Sequence, residues 1–181
     1  MDFERTGGER VFDGKLFSVW RERFRYEDGD EAEREIARHP GAVGMVAHDG
    51  ERLYLVRQPR ETVGDPALLE IPAGKLDGEG PLETAKRELA EEIGKGAREW
   101  KFLTRFYSTP GFADEEVHIY LATGLRDDSA ESDENERIEI VTVPLDELDA
   151  TIADCRDAKT LIGLLWLKDM LGGGGLTEPL H

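Results

Sequence analysis

Short segments in which hydrophobic and polar positions alternate make up much of the chain, and Asp-Gly turns separate several of them. Such segments, rich in Val, Ile, Leu, Phe and Tyr, are typical of β-strands. The predicted strands cover residues 15–26, 33–39, 41–48, 52–58, 67–71, 100–107, 117–123 and 138–143. The pattern therefore predicts a sheet whose strands continue on both sides of an intervening helix.

That helix is predicted between Pro81 and Gly94, where the apolar spacing changes to three and four residues. The apolar positions are Leu82, Ala85, Leu89 and Ile93. Proline suits the first position of a helix, and glycine commonly ends one. The pattern predicts an amphipathic helix with one face packed on a core.

A second helix is predicted over residues 157–171, after a short turn at 145–148. The positions assigned to its apolar face, which a lysine interrupts, are Leu161, Leu164, Leu165, Lys168 and Leu171. A helix of this kind is expected to cover a sheet. We therefore predict an α/β fold with a mixed β-sheet sandwiched between helices (α/β/α), preceded by N-terminal antiparallel strands.

Length and composition predict one domain over residues 1–171 and a flexible tail over residues 172–181, which begins with four glycines. No signal-like N-terminus or membrane-spanning apolar run is evident, so we expect a cytoplasmic protein without membrane contact. The only cysteine, Cys155, has no metal-site spacing around it. It is interpreted as an inert side chain.

The net charge of −17 argues against binding to a nucleic-acid backbone, which requires clustered Lys and Arg. Such a surface also repels anionic substrates, unless metal ions and a few arginines invert the local potential. The acidic excess is equally typical of a salt-rich or warm habitat, and the sequence does not separate these interpretations.

Three glutamates, Glu88, Glu91 and Glu92, lie within little more than one turn of the first helix. Like charges at this spacing cost roughly 0.2–0.5 kcal/mol per pair on an exposed helix, and a divalent cation would reverse the sign. Carboxylate oxygens suit Mg²⁺ or Mn²⁺, which bridge carboxylates to substrate phosphates. The alternative is an acidic helix that is simply solvated.

The segment around these glutamates resembles the Nudix box. Gly74 opens it, Glu79 lies eight residues before Arg87, the run R-E-L-A-E-E follows, and Gly94 closes it. Two positions depart from the family pattern: the interval from Gly74 to Glu79 is one residue short, and Lys95 replaces an aliphatic residue. Both departures lie outside the helix, and the spacing from Glu79 onward is intact.

The resemblance implies a Nudix-like fold and a metal site. Glu88 and Glu92 would be the principal ligands, Glu91 a shared one, and the backbone carbonyl of Ala73 a further one. Arg87 would orient the glutamates through a salt bridge with Glu79 or a neighbour.

The whole chain resembles the ADP-ribose pyrophosphatase branch of this family, in which a loop after the box supplies a catalytic glutamate. In the acidic segment before the last strand, Glu134 is assigned as the base and Glu136 as an added metal ligand, although the two roles could be exchanged.

The same resemblance implies a set of substrate contacts. Pro110 occupies the position of a proline marker for ADP-ribose-type members. The residues assigned to the substrate are Arg38, Arg60, Glu115, Phe112 and Phe17, with Trp20 as the alternative to Phe17 for an adenine platform. The alternative for Phe17 and Trp20, and the more common case for such residues, is that they are core residues.

The residues indicate metal-dependent phosphate chemistry, and the resemblance implies a hydrolase that splits ADP-ribose, or a related nucleoside diphosphate sugar, into AMP and a sugar phosphate. The alternatives are hydrolysis of another nucleoside diphosphate compound, such as a dinucleotide, and a non-catalytic sensor of ADP-ribose. The N-terminal strands, residues 8–39, resemble those through which this branch forms homodimers, so a homodimer is expected.

Overall fold

The computed structural model describes residues 2–128 and 137–174. The chain forms two compact units: one takes in Met1–Gly41 and Tyr107–Glu116, and the other takes in Ala42–Phe106 and Val117–His181. The single domain over residues 1–171 stays a prediction. Most of the predicted tail, residues 175–181, lies outside the described residues.

The smaller unit contains a three-stranded antiparallel sheet in the order β1-β2-β3. Its strands are β1 (Phe3–Asp13), β2 (Ser18–Tyr26) and β3 (Glu31–Arg38). The second segment of this unit folds back on β3, since Ala37 N–H donates to Phe112 O at 2.8 Å and Asp114 N–H donates to Ala37 O at 3.2 Å. The predicted N-terminal antiparallel strands are thus confirmed, and β1 adds a strand that the pattern did not predict.

Within its described residues, the larger unit contains a seven-stranded mixed sheet and three α-helices. Its elements are β4 (Ala42–His48), β5 (Arg52–Arg60), β6 (Asp65–Glu70), β7 (Ala73–Lys75), α1 (Pro81–Ile93), β8 (Lys95–Tyr107), β9 (Glu116–Asp127), β10 (Glu139–Pro144), α2 (Leu148–Asp154) and α3 (Ala158–Leu171). The strand order is β10-β5-β4-β9-β8, with β6 paired to β5 and β7 to β4. The β4–β9 pair is parallel, whereas β4 pairs antiparallel with β5 and β7.

Helices cover both faces of this sheet, as alternate residues of β4 demonstrate. Val43, Met45 and Ala47 pack with Ala85 and Leu89 of α1. Val46, which points to the opposite face, packs with Leu164 and Leu167 of α3. The predicted arrangement of a mixed sheet between helices is therefore confirmed.

The buried face of α3 differs from the predicted one. Thr160, Gly163, Leu164 and Leu167 are its buried residues, whereas Leu165 is 45% exposed. This helix is apolar on nearly every side, so the spacing of its leucines does not select a face. Gly163 decides the contact, because a Cβ there would lie 2.7 Å from Val46 Cγ2.

Within the described ranges, no helix is long and apolar enough to cross a membrane.

Candidate metal and phosphate site

The three glutamates of helix α1 differ in their exposure to solvent. Pro81 stands in its first turn, and Gly94 ends it with φ 64° while its N–H donates to Ala90 O. The side chain of Glu88 is 14% exposed and that of Glu91 is 29% exposed, whereas Glu92 is buried. Glu88 and Glu92, one turn apart, thus line the inner edge of the helix, as their position on the rim of the apolar stripe predicts.

Glu92 binds the backbone that enters the Nudix-like segment. Its Oε2 accepts a hydrogen bond from Ala73 N–H at 2.8 Å. The strand β7 pairs with β4 at Gly44↔Ala73, and Met45 N–H donates to Pro72 O at 2.8 Å. The helix α1 and the strand β7 are therefore tied together at Ala73, where the family resemblance implies a backbone metal ligand.

Gly74 makes room for the other principal carboxylate. A Cβ built on Gly74 would lie 2.0 Å from Glu88 Cδ, so the carboxyl group of Glu88 occupies the space of the missing side chain. The backbone of Gly74 is not in the left-handed region. This glycine is needed for close approach, and its conformation would suit any residue.

Arg87 is the counter-ion of the carboxylate cluster. Its Nη1 lies 2.7 Å from Glu91 Oε2 and 3.0 Å from Glu88 Oε1, while its Nη2 lies 2.8 Å from Asp77 Oδ2. The expected ion pair with Glu79 is present at 3.5 Å. Partial burial lowers the pKa of Arg87, but the charges of Glu88, Glu91 and Asp77 outweigh it and raise the pKa above its ordinary value.

The donors around Ala73 fit a hard divalent cation. Two carboxylates, Glu88 and Glu92, converge on the Ala73–Gly74 backbone, and all the available donors are oxygens. Among residues 2–128 and 137–174, no group of three or more His, Cys, Asp or Glu side chains is arranged to hold a metal ion. A Mg²⁺ site does not need three protein side chains, because Mg²⁺ is commonly bound by one or two carboxylates together with waters and substrate phosphates.

Arg60, predicted to bind substrate, lies in the larger unit as the metal-site glutamates do. It forms a bidentate ion pair with the buried carboxylate of Glu70, with Nε–Oε1 at 2.6 Å and Nη2–Oε2 at 2.8 Å. The hydrogen bonds to Glu70 are the largest cause of its raised pKa, and the charges of Asp157 and Glu92 add to it. Arg60 is thus within electrostatic range of Glu92.

Glu70 is a buried charge with two cationic partners, Arg60 and Lys159. Burial raises the pKa of Glu70, but the hydrogen bond from Arg60 and the charge of Lys159 outweigh it and hold the pKa below its ordinary value. Neither Glu70 nor Lys159 was predicted as a site residue. A charged residue inside the apolar run L-L-E-I-P was the only signal in the sequence.

Arg38, the other predicted arginine, lies in the smaller unit. Its Nη2 donates to both oxygens of the buried Glu22, at 3.0 and 2.9 Å, and its Nη1 donates to Asp114 Oδ2 at 2.8 Å. The hydrogen bonds to Asp114 and Glu22 raise the pKa of Arg38. The structure therefore fixes this guanidinium, and its role towards substrate stays a prediction.

Glu115 is also held by neighbours in the smaller unit. Its Oε2 accepts a hydrogen bond from the Ser108 hydroxyl, and its Oε1 lies 3.3 Å from His39 Nδ1. The same nitrogen accepts a hydrogen bond from Gly41 N–H at 3.2 Å. The backbone adds a bond from Ser108 N–H to Glu115 O.

The predicted aromatic contacts occupy different environments of the smaller unit. Phe112 is 60% exposed and lines a cavity of about 320 Å³ together with Arg38 and Asp114. Phe17 is 41% exposed and contacts Phe12, with ring centroids 6.0 Å apart. Trp20 donates to Ser18 Oγ at 3.1 Å. Of the predicted residues in this unit, Arg38 and Phe112 share one cavity.

The two loop glutamates assigned to catalysis and metal binding, Glu134 and Glu136, lie outside the described residues. Their roles stay predictions. Cys155 is a partly buried free thiol whose pKa is raised by burial, as expected of an unreactive cysteine.

Comparison with known proteins supports the resemblance seen in the sequence. The NUDIX domain model matches residues 38–162. A protein named ADP-ribose pyrophosphatase from Bacillus subtilis is 39% identical over 166 residues, which span 88% of this chain and 89% of that protein. A protein named methanol dehydrogenase activator from Bacillus methanolicus is 38% identical over the same shares of the two chains.

The fold also matches a solved structure. The crystal structure of an ADP compounds hydrolase aligns with a TM-score of 0.84 and 26% sequence identity, covering 98% of both chains.

Proposed function

Because the chain belongs to the Nudix hydrolase family, we propose that it hydrolyses the diphosphate bond of ADP-ribose, or of a closely related nucleoside diphosphate sugar, to AMP and a sugar phosphate. The observation that carries this proposal is the convergence of Glu88 and Glu92 on the Ala73–Gly74 backbone. Two similar proteins are named for activity on ADP compounds, one by sequence and one by structure.

Hydrolases of this family generally depend on a divalent metal, and Mg²⁺, with Mn²⁺ as a substitute, is the ion we assign here. Glu88 and Glu92 would hold it with the Ala73 carbonyl, and Glu91 and Glu136 would share further coordination. When bound, such an ion neutralises the charge of a diphosphate and lowers the pKa of an attacking water.

The protein supplies the proton acceptor and the positioning. Glu134 takes the proton of the water that attacks one phosphorus, while the bridging P–O bond breaks and one phosphate leaves with its electron pair. Arg87 holds Glu91 and Glu88 in place. Arg60 donates from its free edge to a phosphate oxygen, which guanidinium geometry favours.

The smaller unit holds further residues that we assign to the substrate, with Arg38 as a second candidate for the diphosphate oxygens. Arg38 and Phe112 line one cavity there, and an aromatic wall suits a flat base. Glu115 and either Phe17 or Trp20 are the further contacts we assign. We also propose a homodimer formed through residues 8–39 and action in the cytoplasm.

A second candidate function follows from the relative named as a methanol dehydrogenase activator, whose identity and coverage match those of the pyrophosphatase. In that case the chain would act on a partner dehydrogenase. Mixing the purified protein with methanol dehydrogenase and following alcohol oxidation distinguishes this function, because stimulation that survives substitution of Glu92 would not depend on hydrolysis.

The decisive experiment incubates the protein and millimolar Mg²⁺ with ADP-ribose, other nucleoside diphosphate sugars and dinucleotides, and separates the products. Rapid release of AMP from ADP-ribose is the expected result. Faster turnover of a dinucleotide or of a guanosine diphosphate sugar would overturn the substrate assignment, and no turnover of any compound would overturn the enzymatic one.

A further inference from the structure

Arg60 is bound along one edge only. Its Nε and Nη2 are both held by Glu70, whereas Nη1 makes no hydrogen bond or ion pair with any of the residues 2–128 and 137–174. The side chain is 40% exposed. A guanidinium fixed on one edge and open on the other is preorganised to donate to an anion.

The carboxylate that fixes Arg60 is itself fixed from α3. Lys159 Nζ contacts Glu70 Oε2 and lies 3.0 Å from Asp157 Oδ2. The side chain of Lys159 is only 16% exposed and that of Glu70 is 1% exposed. If Glu70 turned away from Arg60, it would also lose its contact with Lys159, and its charge would stay buried without a partner. Both outcomes are costly, so Glu70 is held against Arg60.

The backbone beside Glu70 is anchored to the same turn of α3. Thr160 Oγ1 accepts a hydrogen bond from Ile71 N–H at 2.8 Å and donates to Asp157 Oδ2 at 2.6 Å. Asp157 also accepts from Thr160 N–H and so caps the helix. Side chain and backbone at Glu70 are thus both held by the first turn of α3.

The neighbours of Arg60 also set the local charge. Alone with Arg60, Glu70 would neutralise the guanidinium and weaken its attraction for phosphate. Lys159 shares Glu70 Oε2 and so offsets part of that neutralisation, while Asp157, 3.0 Å from Lys159, brings the summed charge of the four groups to zero.

We propose that Lys159 and Glu70 are positioning residues, which hold Arg60 with its Nη1 edge directed to a substrate phosphate. The proposal rests on the proposed function, since it concerns the phosphate-binding arginine of the same reaction. It assigns a role in substrate binding to α3, a helix without any residue of the Nudix box.

A double-mutant cycle tests the proposal with the full chain, using Lys159→Met, Arg60→Ala and the double variant. We expect Lys159→Met to raise KM for ADP-ribose by about tenfold with kcat within about threefold of wild type. Lys159→Arg keeps the charge and should restore KM to within about threefold. In the Arg60→Ala background, Lys159→Met should have no further effect on KM.

Lys168→Met is the matched control. Lys168 is also on α3 and pairs with Asp149 at 2.8 Å, so its loss removes a lysine and an ion pair without touching Glu70. In Lys168→Met, KM for ADP-ribose should stay at the wild-type value. Unfolding temperatures of all variants separate positioning from loss of fold. If Lys159→Met does not fold, Lys159→Gln and Glu70→Gln take its place in the cycle.

A binding measurement keeps the two proposals distinct. Dissociation constants for inorganic pyrophosphate with Mg²⁺ are measured by calorimetry for the same four proteins. If the wild type does not turn over ADP-ribose, the proposed function fails, and the pyrophosphate constants still decide whether Lys159 acts through Arg60. An unchanged constant in Lys159→Met, an additive effect in the double variant, or no pyrophosphate binding at all would overturn the inference.

Discussion

Glu92 accepts a hydrogen bond from the backbone N–H of Ala73 at 2.8 Å, a contact between residues 19 positions apart in the sequence. The bond fixes the direction of the Glu92 carboxylate beside the backbone of β7. One carboxylate thereby links the helix α1 to the strand that carries the proposed backbone ligand.

Glu92→Gln should lower kcat by about a thousandfold while the fold persists. The amide oxygen can still accept from Ala73 N–H, so the variant removes the charge and keeps the contact. Turnover of ADP-ribose and Mn²⁺ binding by electron paramagnetic resonance measure the effect. Glu83→Gln, an exposed position on the same helix, is the control and should keep full activity. Near-normal turnover in Glu92→Gln would refute the assignment of this ligand.

Gly74→Ala should weaken metal binding and turnover by at least about tenfold with little change in unfolding temperature. The new Cβ would lie 2.0 Å from Glu88 Cδ, and a glutamate carboxyl group can swing away more cheaply than the backbone can move. Gly80→Ala is the control from the same connection, because a Cβ there meets nothing within 4 Å. Equal Mg²⁺ dependence in both variants would show that Gly74 does not seat Glu88.

Arg87→Met should make stability more dependent on divalent cations. Without the guanidinium, Glu88, Glu91 and Asp77 lose their shared counter-ion, so the unfolding temperature without metal should fall. Added Mg²⁺ binds the folded state and should restore more stability than in wild type. Lys86→Met, which removes an exposed lysine paired with Glu83, is the control, and added Mg²⁺ should raise its unfolding temperature by as much as it raises that of wild type. Identical increments in all three proteins would contradict the counter-ion role.

The stability of the chain should depend on Glu70 at acidic pH. Its pKa is lower in the folded protein than its ordinary value of 4.5, because Arg60 and Lys159 outweigh its burial. The folded state therefore gains stability from Glu70 above pH 4.5, and this contribution is lost as pH falls through the lower folded pKa. Denaturant unfolding gives the free energy of unfolding at each pH. Between about pH 5 and pH 3 this free energy should fall less steeply for Glu70→Gln than for wild type. The same pH dependence in Glu70→Gln and wild type would show that Glu70 does not contribute to acid sensitivity.

Glu134→Gln should abolish most turnover and retain Mn²⁺ binding, whereas Glu136→Gln should weaken both, since only the second is assigned as a ligand. Steady-state kinetics and Mn²⁺ titration of the two variants separate the roles. The reverse pattern would exchange the two assignments.

The sequence predicted α1 to within a residue of its ends, since a proline start, a glycine stop and an apolar stripe are local signals. It did not predict β1, where two adjacent glycines and charged residues interrupt the alternation. It also predicted only a turn at residues 145–148, whereas α2 runs from Leu148 to Asp154. The strand β1 is held by its pairing with β2, and the seven-residue helix α2 is held by the packing of Leu148 and Ile152, neither of which local propensity reports.

The sequence by itself determined the carboxylate cluster, because the positions of Glu88, Glu91 and Glu92 along one helix follow from helical geometry. It also indicated the family, because residues 74–94 resemble the Nudix box. Only the tertiary structure showed that Gly74 seats Glu88, and that Arg60 is held by Glu70 and Lys159. Those contacts join residues far apart in the sequence. Local patterns report neighbours within a few residues, whereas the partner of a buried charge is chosen by how strands and helices pack.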